Sequence, residues 1–476
     1  KQLEAAHAVV VSHKYNSMAQ DYSAQMLFGA SRATGQLPVG ANAMFYLGLG
    51  LETASLGRFE YTIPEAVGLN RDDLAGIEKL VNNGITERAY PGCQVLVAKE
   101  GKVIYNRAFG HHTYEKNREV QTDDIYDLAS ITKIAGTLPA VMRLVDEKKV
   151  DLDYNLCDYL PELVDSNDRY SNMNLREMLA HQAGLVSWIP FFYQTMVRGV
   201  PRYDIYSLAQ SETYPHRVAE NLYIHKSYPD SMMTRILDTK LRAQHDYKYS
   251  DLGYYFFMRI VERITGSKLE DFAAEEFYRP LGMSTTGYLP RARFELDRIT
   301  PTEYDMVFRK QLVHGDVHDP GAAMMGGVGG HAGLFSNAND LAKLMQMYMQ
   351  GGTYGGRRYL SANTLTDFVR CQFCEDDNRR GAGFDKPVRG EGGPTCHCVS
   401  YDSFGHSGFT GTLTWADPEE EVVYVFLSNR VYPDAGNKKL VSMSIRTKVQ
   451  EVIYDAVASG KERQNLGLNI ELSADR

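Results

Sequence analysis

A serine and a lysine in the run Ser-Ile-Thr-Lys form the first pair in this sequence that could do chemistry. Ser130 and Lys133 lie where a helix is predicted to begin. Residues i and i+3 of a helix share a face, so the lysine amine can reach the serine hydroxyl. The positive end of the helix dipole and burial both disfavour the ammonium form, which favours lysine as a base. Taken alone, the pair is better explained by a serine that caps the helix beside a solvated lysine.

Two further motifs follow along the chain. Tyr249-Ser250-Asp251 precedes a helix predicted to start near Leu252 and is placed as a second catalytic loop would be, although Ser250 or Asp251 could also be an ordinary helix cap. The run 405–412, Gly-His-Ser-Gly-Phe-Thr-Gly-Thr, opens a predicted strand. Its glycines would let a substrate backbone lie close to the strand edge, and the alternative is a glycine-rich strand entry without function.

Together the three motifs resemble those of the serine β-lactamase and penicillin-binding-protein superfamily. The similarity is to the branch of class C β-lactamases, DD-peptidases and β-lactamase-fold esterases, which carry S-x-x-K, Y-x-N and K-T-G or H-x-G in this order. The resemblance covers about residues 72–458. Further matching runs are Asp151–Asp153, Tyr159–Glu162, Met178–Leu185 and Gly330–Ser336.

The resemblance implies a role for each motif. Ser130 would be the acylated nucleophile, with Lys133 and Tyr249 sharing the proton transfers. The backbone N–H groups of Ser130 and Phe409 would form the oxyanion hole. His406 and Gly408 would line the third side of the site. The resemblance implies no cofactor.

Asp251 is a departure, because it occupies the position that usually holds asparagine. An aspartate near Lys133 would favour the ammonium form, which would leave Tyr249, as a phenolate, to act as the base. The charged lysine is then expected to lower the pKa of Tyr249 from its usual value of about 10. On this reasoning Asp251→Asn is expected to raise the pH needed for activity.

A second departure concerns recognition of a substrate carboxylate. His406 replaces the lysine of K-T-G and is expected to titrate near neutrality. The run 427–434, Leu-Ser-Asn-Arg-Val-Tyr-Pro-Asp, resembles a class C run in which two asparagines recognise that carboxylate. These asparagines fall on Val431 and Asp434 here, so the sequence predicts poor recognition of a penicillin-type carboxylate.

Four cysteines bracket a loop before His406 and leave two interpretations open. Cys371, Cys374, Cys396 and Cys398 are spaced such that four thiolates could hold zinc. We favour free thiols or disulfides, including pairs across the loop, because the β-lactamase-like domain needs no metal and disulfides form outside the cytoplasm.

The elements that must position these residues predict an α+β fold. Hairpins at 93–109 and 411–427 should form one antiparallel sheet from the two ends of the chain, flanked by helices and completed by a mostly helical insertion. Predicted helices are 72–82, 135–148, 175–180, 252–265, 269–278, 340–349 and 439–457.

The first sixty residues have a separate resemblance. Short strands are predicted at Ala8–Val11 and Met26–Phe28, with a helical stretch between them. The runs 28–30 and 35–39 are similar to the end of the second domain of family-three glycoside hydrolases of the β-N-acetylglucosaminidase type, which precedes a β-lactamase-like domain in some bacterial fusions. The implied organisation is a glycosidase remnant at 1–60, a serine hydrolase domain at 61–460 and a tail at 461–476.

Composition excludes several classes of function. The 476 residues carry a formal charge of −9, so no basic face is available for nucleic acid. The longest nearly apolar run, Ala41–Leu51, is shorter than the ~20 residues that span a bilayer. The chain starts with Lys1 and shows no apolar leader, which we interpret as a signal peptide already removed.

The sequence therefore predicts a periplasmic or otherwise exported serine hydrolase. It would form an acyl-enzyme on Ser130 and cleave an ester or amide, with a small molecule or a peptidoglycan-derived peptide as substrate. The alternatives are a β-lactamase-fold carboxylesterase and a penicillin-receptor-like domain that binds cell-wall ligand with little turnover.

Overall fold

A six-stranded sheet forms the centre of the protein. The computed structural model describes residues 6–164, 168–243, 246–388, 390 and 392–466. In sheet order the strands are Glu60–Tyr61, Lys102–Gly110, Gly92–Lys99, Val422–Ser428, Thr412–Asp417 and Phe404–Gly408. Neighbours are antiparallel except at the edge, where Glu60–Tyr61 runs parallel to Lys102–Gly110. Both predicted hairpins are confirmed, and they join where Val425 lies opposite Leu96.

Alternation along the central strands explains why both sheet faces are covered. Successive strand residues point to opposite faces. Val95 and Val97 belong to one apolar core, closed by the helices Ala75–Thr86 and Ile445–Asn465. Leu96 and the other residues of its face belong to a second, larger core beneath the helical part of the chain. The site described below lies on the side of this larger core.

The remaining elements are mostly helices, as predicted for an α+β fold. The α-helices are Ser17–Leu27, Ala75–Thr86, Leu138–Asp146, Leu156–Tyr159, Pro161–Val164, Asp168–Ser171, Leu175–Leu179, Tyr228–Asp238, Leu252–Thr265, Leu269–Ala273, Arg279–Leu281, Pro320–Met324, Ala338–Met349, Ala362–Val369, Lys439–Ser442 and Ile445–Asn465. Wider π-helical turns are Lys133–Thr137 and Ala274–Tyr278. Short 3₁₀ turns are Pro64–Val67, Arg71–Leu74, Ala129–Ile131, Phe191–Thr195, Pro290–Ala292, Leu296–Arg298 and Cys374–Asp376.

The helical region also contains small sheets that the sequence did not indicate. Their strands are Tyr126–Asp127 with Phe335–Ser336, Met196–Val197 with Val200–Pro201, Tyr206–Ser207, His216–Ala219 and Leu222–Ile224 as a group of three, Pro301–Asp305 with Gln311–His314, and Thr353–Tyr354 with Arg357–Arg358. The predicted final helix is broken at Ser444, whose φ is 54°. Within the described residues, no helix is both long and apolar enough to cross a membrane.

The two strands predicted near the start of the chain were wrong. Residues 8–11 form no strand, and Met26 and Leu27 end a helix instead. Asn16 starts that helix by accepting a hydrogen bond from the Ala19 N–H at 2.8 Å. The helix Ser17–Leu27 buries none of its residues, and Phe28 at its end is 73% exposed. The apolar residues of this segment therefore lack the partner strands that the prediction assumed.

The chain near the two predicted domain boundaries, at residues 60 and 460, packs against the domain. Phe59 is already buried in the larger core, and the next residues form the edge strand of the sheet. At the other end, the last helix continues past residue 460 to Asn465, and Arg463 pairs with Asp73 at 2.6 Å. The start of the predicted tail thus packs on the domain, while residues 467–476 lie outside the described residues.

Candidate active site

Ser130 lies in a tight turn that the preceding residues hold in place. The turn Ala129–Ile131 follows the short strand Tyr126–Asp127 and leads directly into Lys133–Thr137. Ala129 has a φ of 47°, in the left-handed region that non-glycine residues rarely adopt. Its N–H donates to the Asp127 carboxylate at 2.8 Å, which stabilises this conformation.

Lys133 is fully buried and has an acceptor for each of its three ammonium N–H groups. Its Nζ lies 3.0 Å from Ser130 Oγ, 3.1 Å from the His331 carbonyl oxygen and 2.7 Å from Asp251 Oδ1. Burial alone would lower the lysine pKa, but the charge of Asp251 and the hydrogen bonds of the lysine to Asp251 and Tyr249 outweigh it, so the pKa of Lys133 is raised. The lysine is therefore an ammonium that donates to Ser130 in the resting site.

Tyr249 lies beside both Lys133 and Ser130. Its hydroxyl interacts with Lys133 and Ser130, and its ring packs 4.6 Å from the buried ring of His181. Burial raises the pKa of Tyr249 above its usual value more than Lys133 lowers it, and Asp251 raises it further. The expectation of a lowered tyrosine pKa was wrong, because burial penalises the phenolate.

This finding reverses the expected effect of Asp251→Asn on the pH needed for activity. Asp251 raises the pKa of Tyr249, so its removal lowers the pH at which the phenolate forms. The earlier expectation considered only the lysine and omitted the direct repulsion between the aspartate and the phenolate.

The strand Phe404–Gly408 closes the opposite side of the serine turn. A side chain at Gly408 would meet the Leu128 carbonyl oxygen at 2.4 Å, so only glycine allows this approach. The hydroxyls of Thr410 and Thr412 donate to the carbonyls of Asp127 and Leu128 at 2.7 and 3.1 Å. These contacts bring Phe409 beside the serine turn, and its role in the oxyanion hole stays a prediction.

His406 is neutral, contrary to the expectation that it titrates near pH 7. It is buried, its Nε2 lies 3.2 Å from Arg380 Nη2, and its Nδ1 lies 2.7 Å from the Ser407 carbonyl oxygen. Burial and the charges of Arg380 and Lys133 lower the pKa of His406 to about 3. The neutral ring accepts from the guanidinium and donates to the carbonyl.

Arg380 and His181 are the residues of the site that sequence reasoning missed. Arg380 is buried, pairs with Asp385 at 3.1 Å and lies 5.6 Å from the Tyr249 ring centroid. It belongs to no motif, so only the fold joins it to His406. His181 lies in a run that matched the family and could have been found there. Burial, Arg380 and Lys133 keep its pKa low, and its Nδ1 accepts from the Ser250 N–H at 3.2 Å.

The two positions of the missing asparagines do not present amides to the site. Val431 is fully buried in the structure. Asp434 is exposed and its carboxylate accepts from the Gly436 N–H at 2.8 Å. Arg430 lies between the end of the strand Val422–Ser428 and these two positions, and its guanidinium carbon is 4.6 Å from the Phe409 ring centroid.

The zinc interpretation of the four cysteines was wrong, and so was the pairing across the loop. Cys371 is joined to Cys374, and Cys396 to Cys398. Sulfurs in disulfides are not thiolates and do not bind zinc as such. In the described part of the chain, no group of three or more histidine, cysteine or acidic side chains is placed to hold a metal ion.

A pocket adjoins Asp251 on the lysine side of Ser130, and we name it the Trp188 pocket. Aromatic side chains form much of its wall, with Asp251, Tyr255, Asp319 and His331 as its titratable groups. His331 Nε2 lies 2.8 Å from Asp319 Oδ1, and its ring stacks on Tyr255 at 4.6 Å. His331 thus both lines the pocket and is hydrogen-bonded. The aromatic members are Trp188, Phe191, Phe192 and Tyr255.

Comparisons with known proteins show what the chain as a whole is similar to. The family model of β-lactamases matches residues 77–442. A protein of Escherichia coli (strain K12) named "Putative D-alanyl-D-alanine carboxypeptidase" is 29% identical over 417 aligned positions, and the match covers 81% of this chain and 90% of the relative.

Solved structures share the fold. EstCE1, described as a hydrolase with promiscuous acyltransferase activity, has a TM-score of 0.59 at 18% identity and covers 80% of this chain and 99% of its own. A penicillin-binding protein homologue from Caulobacter crescentus has a TM-score of 0.56 at 19% identity and covers 81% of this chain and 98% of its own.

Proposed function

Because the chain belongs to the β-lactamase family, we propose that it hydrolyses peptidoglycan-derived peptides through an acyl-enzyme on Ser130. It is a serine hydrolase of the β-lactamase fold that acts on ester or amide bonds. The observation that carries the proposal is the contact of Ser130 Oγ with Lys133 Nζ at 3.0 Å, in a site where Tyr249 reaches both groups.

Acylation begins with the proton of Ser130. Lys133 has three acceptors for its three N–H groups, so Tyr249 is the group beside Ser130 that can take a proton. As the phenolate accepts that proton, Oγ bonds to the substrate carbonyl carbon and the carbonyl electron pair moves onto oxygen. The adjacent ammonium stabilises the small phenolate population on which this step depends.

Collapse of the tetrahedral intermediate completes acyl transfer. The bond from carbon to the leaving amine or alcohol breaks, and the proton held by Tyr249 passes to that leaving group. A water molecule then adds to the acyl carbon while Tyr249 takes its proton, and the bond to Ser130 Oγ breaks with return of a proton to the serine. The atoms and charges of both steps balance without a cofactor.

Cell-wall peptides are proposed as substrates on the strength of the named relative. That protein matches this chain over 90% of its own length. The test is release of D-alanine from a peptide ending in D-Ala-D-Ala, with the same peptide ending in L-Ala-L-Ala and the Ser130→Ala variant as controls. D-alanine release that depends on Ser130 supports the proposal.

Two other outcomes of this test would contradict the proposed peptidase activity, and each would favour a different function. Ser130-dependent hydrolysis of p-nitrophenyl esters without D-alanine release would indicate a carboxylesterase. A stable adduct on Ser130 without product release would indicate a binding domain that acylates but does not turn over.

We also propose that residues 1–60 are the remnant of the C-terminal domain of a family-three glycoside hydrolase and that the protein is exported. Exposed apolar side chains in the described part of this segment, among them Leu27 and Phe28, support the first proposal. The two disulfides support an oxidising compartment. Intact masses of the protein from its native source, before and after reduction, test the second proposal, and four free thiols at 371, 374, 396 and 398 would contradict it.

A further inference from the structure

Arg380 is a buried cation beside the site that takes no part in the proposed proton transfers. Its side chain is 2% exposed, and a guanidinium keeps its charge in proteins. Nη2 donates to His406 Nε2 at 3.2 Å, and Nη1 pairs with Asp385 at 3.1 Å. The third nitrogen, Nε, is buried and has no hydrogen-bond partner among the described residues. A buried donor without a partner is uncommon, so hydrogen bonding alone does not explain why an arginine lies here.

The positive charge of Arg380 is only partly compensated. In the part of the chain that the structure describes, Asp385 is the carboxylate that pairs with it, and the same carboxylate pairs with Arg379 at 2.8 Å. Although burial would raise the pKa of Asp385, the two arginines hold it below its usual value, so Asp385 is ionised. One negative charge thus faces two guanidinium groups. The other partner of Arg380, His406, is neutral.

The Arg380 guanidinium lies over the face of the Tyr249 ring. Its carbon is 5.6 Å from the ring centroid, within the range of a cation–aromatic contact. Lys133 Nζ approaches the same ring at 5.1 Å. Tyr249 therefore has one cation beside its hydroxyl and a second cation on the side of the strand Phe404–Gly408. A nearby cation attracts a phenolate more strongly than a phenol, because the phenolate carries a full negative charge.

We propose that Arg380 is a positioning residue for acylation, which holds the ring of Tyr249 from the strand side and favours its phenolate. The proton still passes from Ser130 to the phenolate, and Arg380 keeps its own protons throughout. Arg380 acts through Tyr249 and contacts neither Ser130 nor the substrate. This inference rests on the proposed acyl-enzyme function and adds a residue that supports its base.

Other titratable groups lie around this tyrosine and do not obscure the effect. His181 and His406 stay neutral across the range of a pH profile, because burial and the cations beside them hold their pKa values low. Burial raises the pKa of Tyr254, which therefore stays protonated. Lys133 and Asp251 act on the phenolate with opposite signs, and both are unchanged in the variants that test Arg380.

The test is the pH profile of single-turnover acylation by p-nitrophenyl acetate. Arg380→Gln removes the charge but keeps an amide that can donate to His406, so the rising limb should shift to higher pH as the phenolate loses a cation. Below the limb, acylation should slow by about 3–30-fold, the range of a cation–aromatic contact. Arg380→Lys restores a cation and should keep the limb close to its wild-type position. Arg380→Met, which is neutral as well, repeats the test if the glutamine variant does not fold.

Arg379→Gln is the matched control. Arg379 pairs with the same carboxylate as Arg380, but its guanidinium lies over the ring of Tyr247, at 5.9 Å. Loss of this charge should leave the rising limb in place. The same shift in both variants would show that the effect comes from Asp385 and would overturn the proposal.

A double variant separates an effect through Tyr249 from a general effect on the fold. No phenolate can form at this position in Tyr249→Phe, so addition of Arg380→Gln should leave the residual acylation rate unchanged. Equal slowing by Arg380→Gln in the wild-type and Tyr249→Phe backgrounds would show a merely structural role and would overturn the proposal.

The remaining outcomes distinguish this inference from the proposed function. If the wild-type protein is acylated on Ser130 and the neutral variants of Arg380 keep its pH profile, the role of Arg380 is overturned and the acyl-enzyme stands. A limb that moves to higher pH in Arg380→Lys as far as in Arg380→Gln would overturn it as well. If the wild-type protein shows no Ser130-dependent acylation, the proposed function fails and the role of Arg380 fails with it.

Discussion

The lysine side and the strand side of Ser130 differ in where their charges lie. On the lysine side, Lys133 and Asp251 form an ion pair in direct contact with the nucleophile. On the strand side, the cation is Arg380, buried behind a neutral His406 and paired with Asp385. Charge that touches the nucleophile can control proton transfer, whereas charge behind a neutral ring fixes the position of that ring. Substitutions on the two sides should therefore affect activity differently.

The largest effect is expected for Tyr249→Phe on the lysine side. This change removes the only hydroxyl that we assign to proton transfer, while the ring that packs on His181 remains. Acylation should slow by about 10²–10⁴-fold, as for loss of a general base. Single-turnover rates of ester acylation measure it, with circular dichroism to check the fold. A fully active variant would show that Lys133 is the base after all.

A substrate comparison tests the strand side next. His406 is neutral, Val431 is buried and Asp434 is exposed, so none of the three offers the expected group for a β-lactam carboxylate. We expect kcat/KM for nitrocefin to fall below that for p-nitrophenyl acetate. More efficient turnover of nitrocefin would show that another group, such as Arg430, recognises the carboxylate.

Asp251→Asn should move the pH profile of acylation rather than abolish it. Removal of the negative charge lowers the pKa of Tyr249 from its raised value, and activity requires the deprotonated form. The rising limb of the profile should thus shift to lower pH, because the nearby negative charge that opposes the phenolate is lost. A shift to higher pH would mean that the charge state of Lys133 dominates instead.

The smallest effect is expected for His406→Gln. A glutamine amide can also accept from Arg380 and donate to the Ser407 carbonyl, so both hydrogen bonds are retained and activity should change only a few-fold. The wild-type profile should show no inflection from His406 between pH 5 and 8, because its pKa is about 3. An inflection there that His406→Gln removes would contradict the neutral ring.

The sequence predicted the parts of the site that depend on local spacing and strand pairing. Ser130 and Lys133 are close because they are one turn apart, and both hairpins could be identified from alternation and turn residues. It did not predict Arg380, because Arg380 and His406 meet only through the fold. Nor could spacing predict the sign of the Tyr249 pKa shift, since burial depends on the surrounding packing.

At the start of the chain, strand propensity alone gave a wrong prediction. Val9, Val10 and Val11 have high strand propensity, but propensity yields a strand only where a partner strand exists. None pairs with them within the described residues, and all three side chains are exposed. Alternation was a reliable guide within the central sheet because each strand there has a neighbour.

The most direct test of the account is to locate the covalent intermediate. The protein is treated with a fluorophosphonate probe, digested and mapped by mass spectrometry, with Ser130→Ala treated in parallel. We predict one labelled residue, Ser130, because it is the serine of the described residues that lies beside Lys133 and Tyr249. A label on another serine, or labelling and hydrolysis that persist in Ser130→Ala, would contradict it.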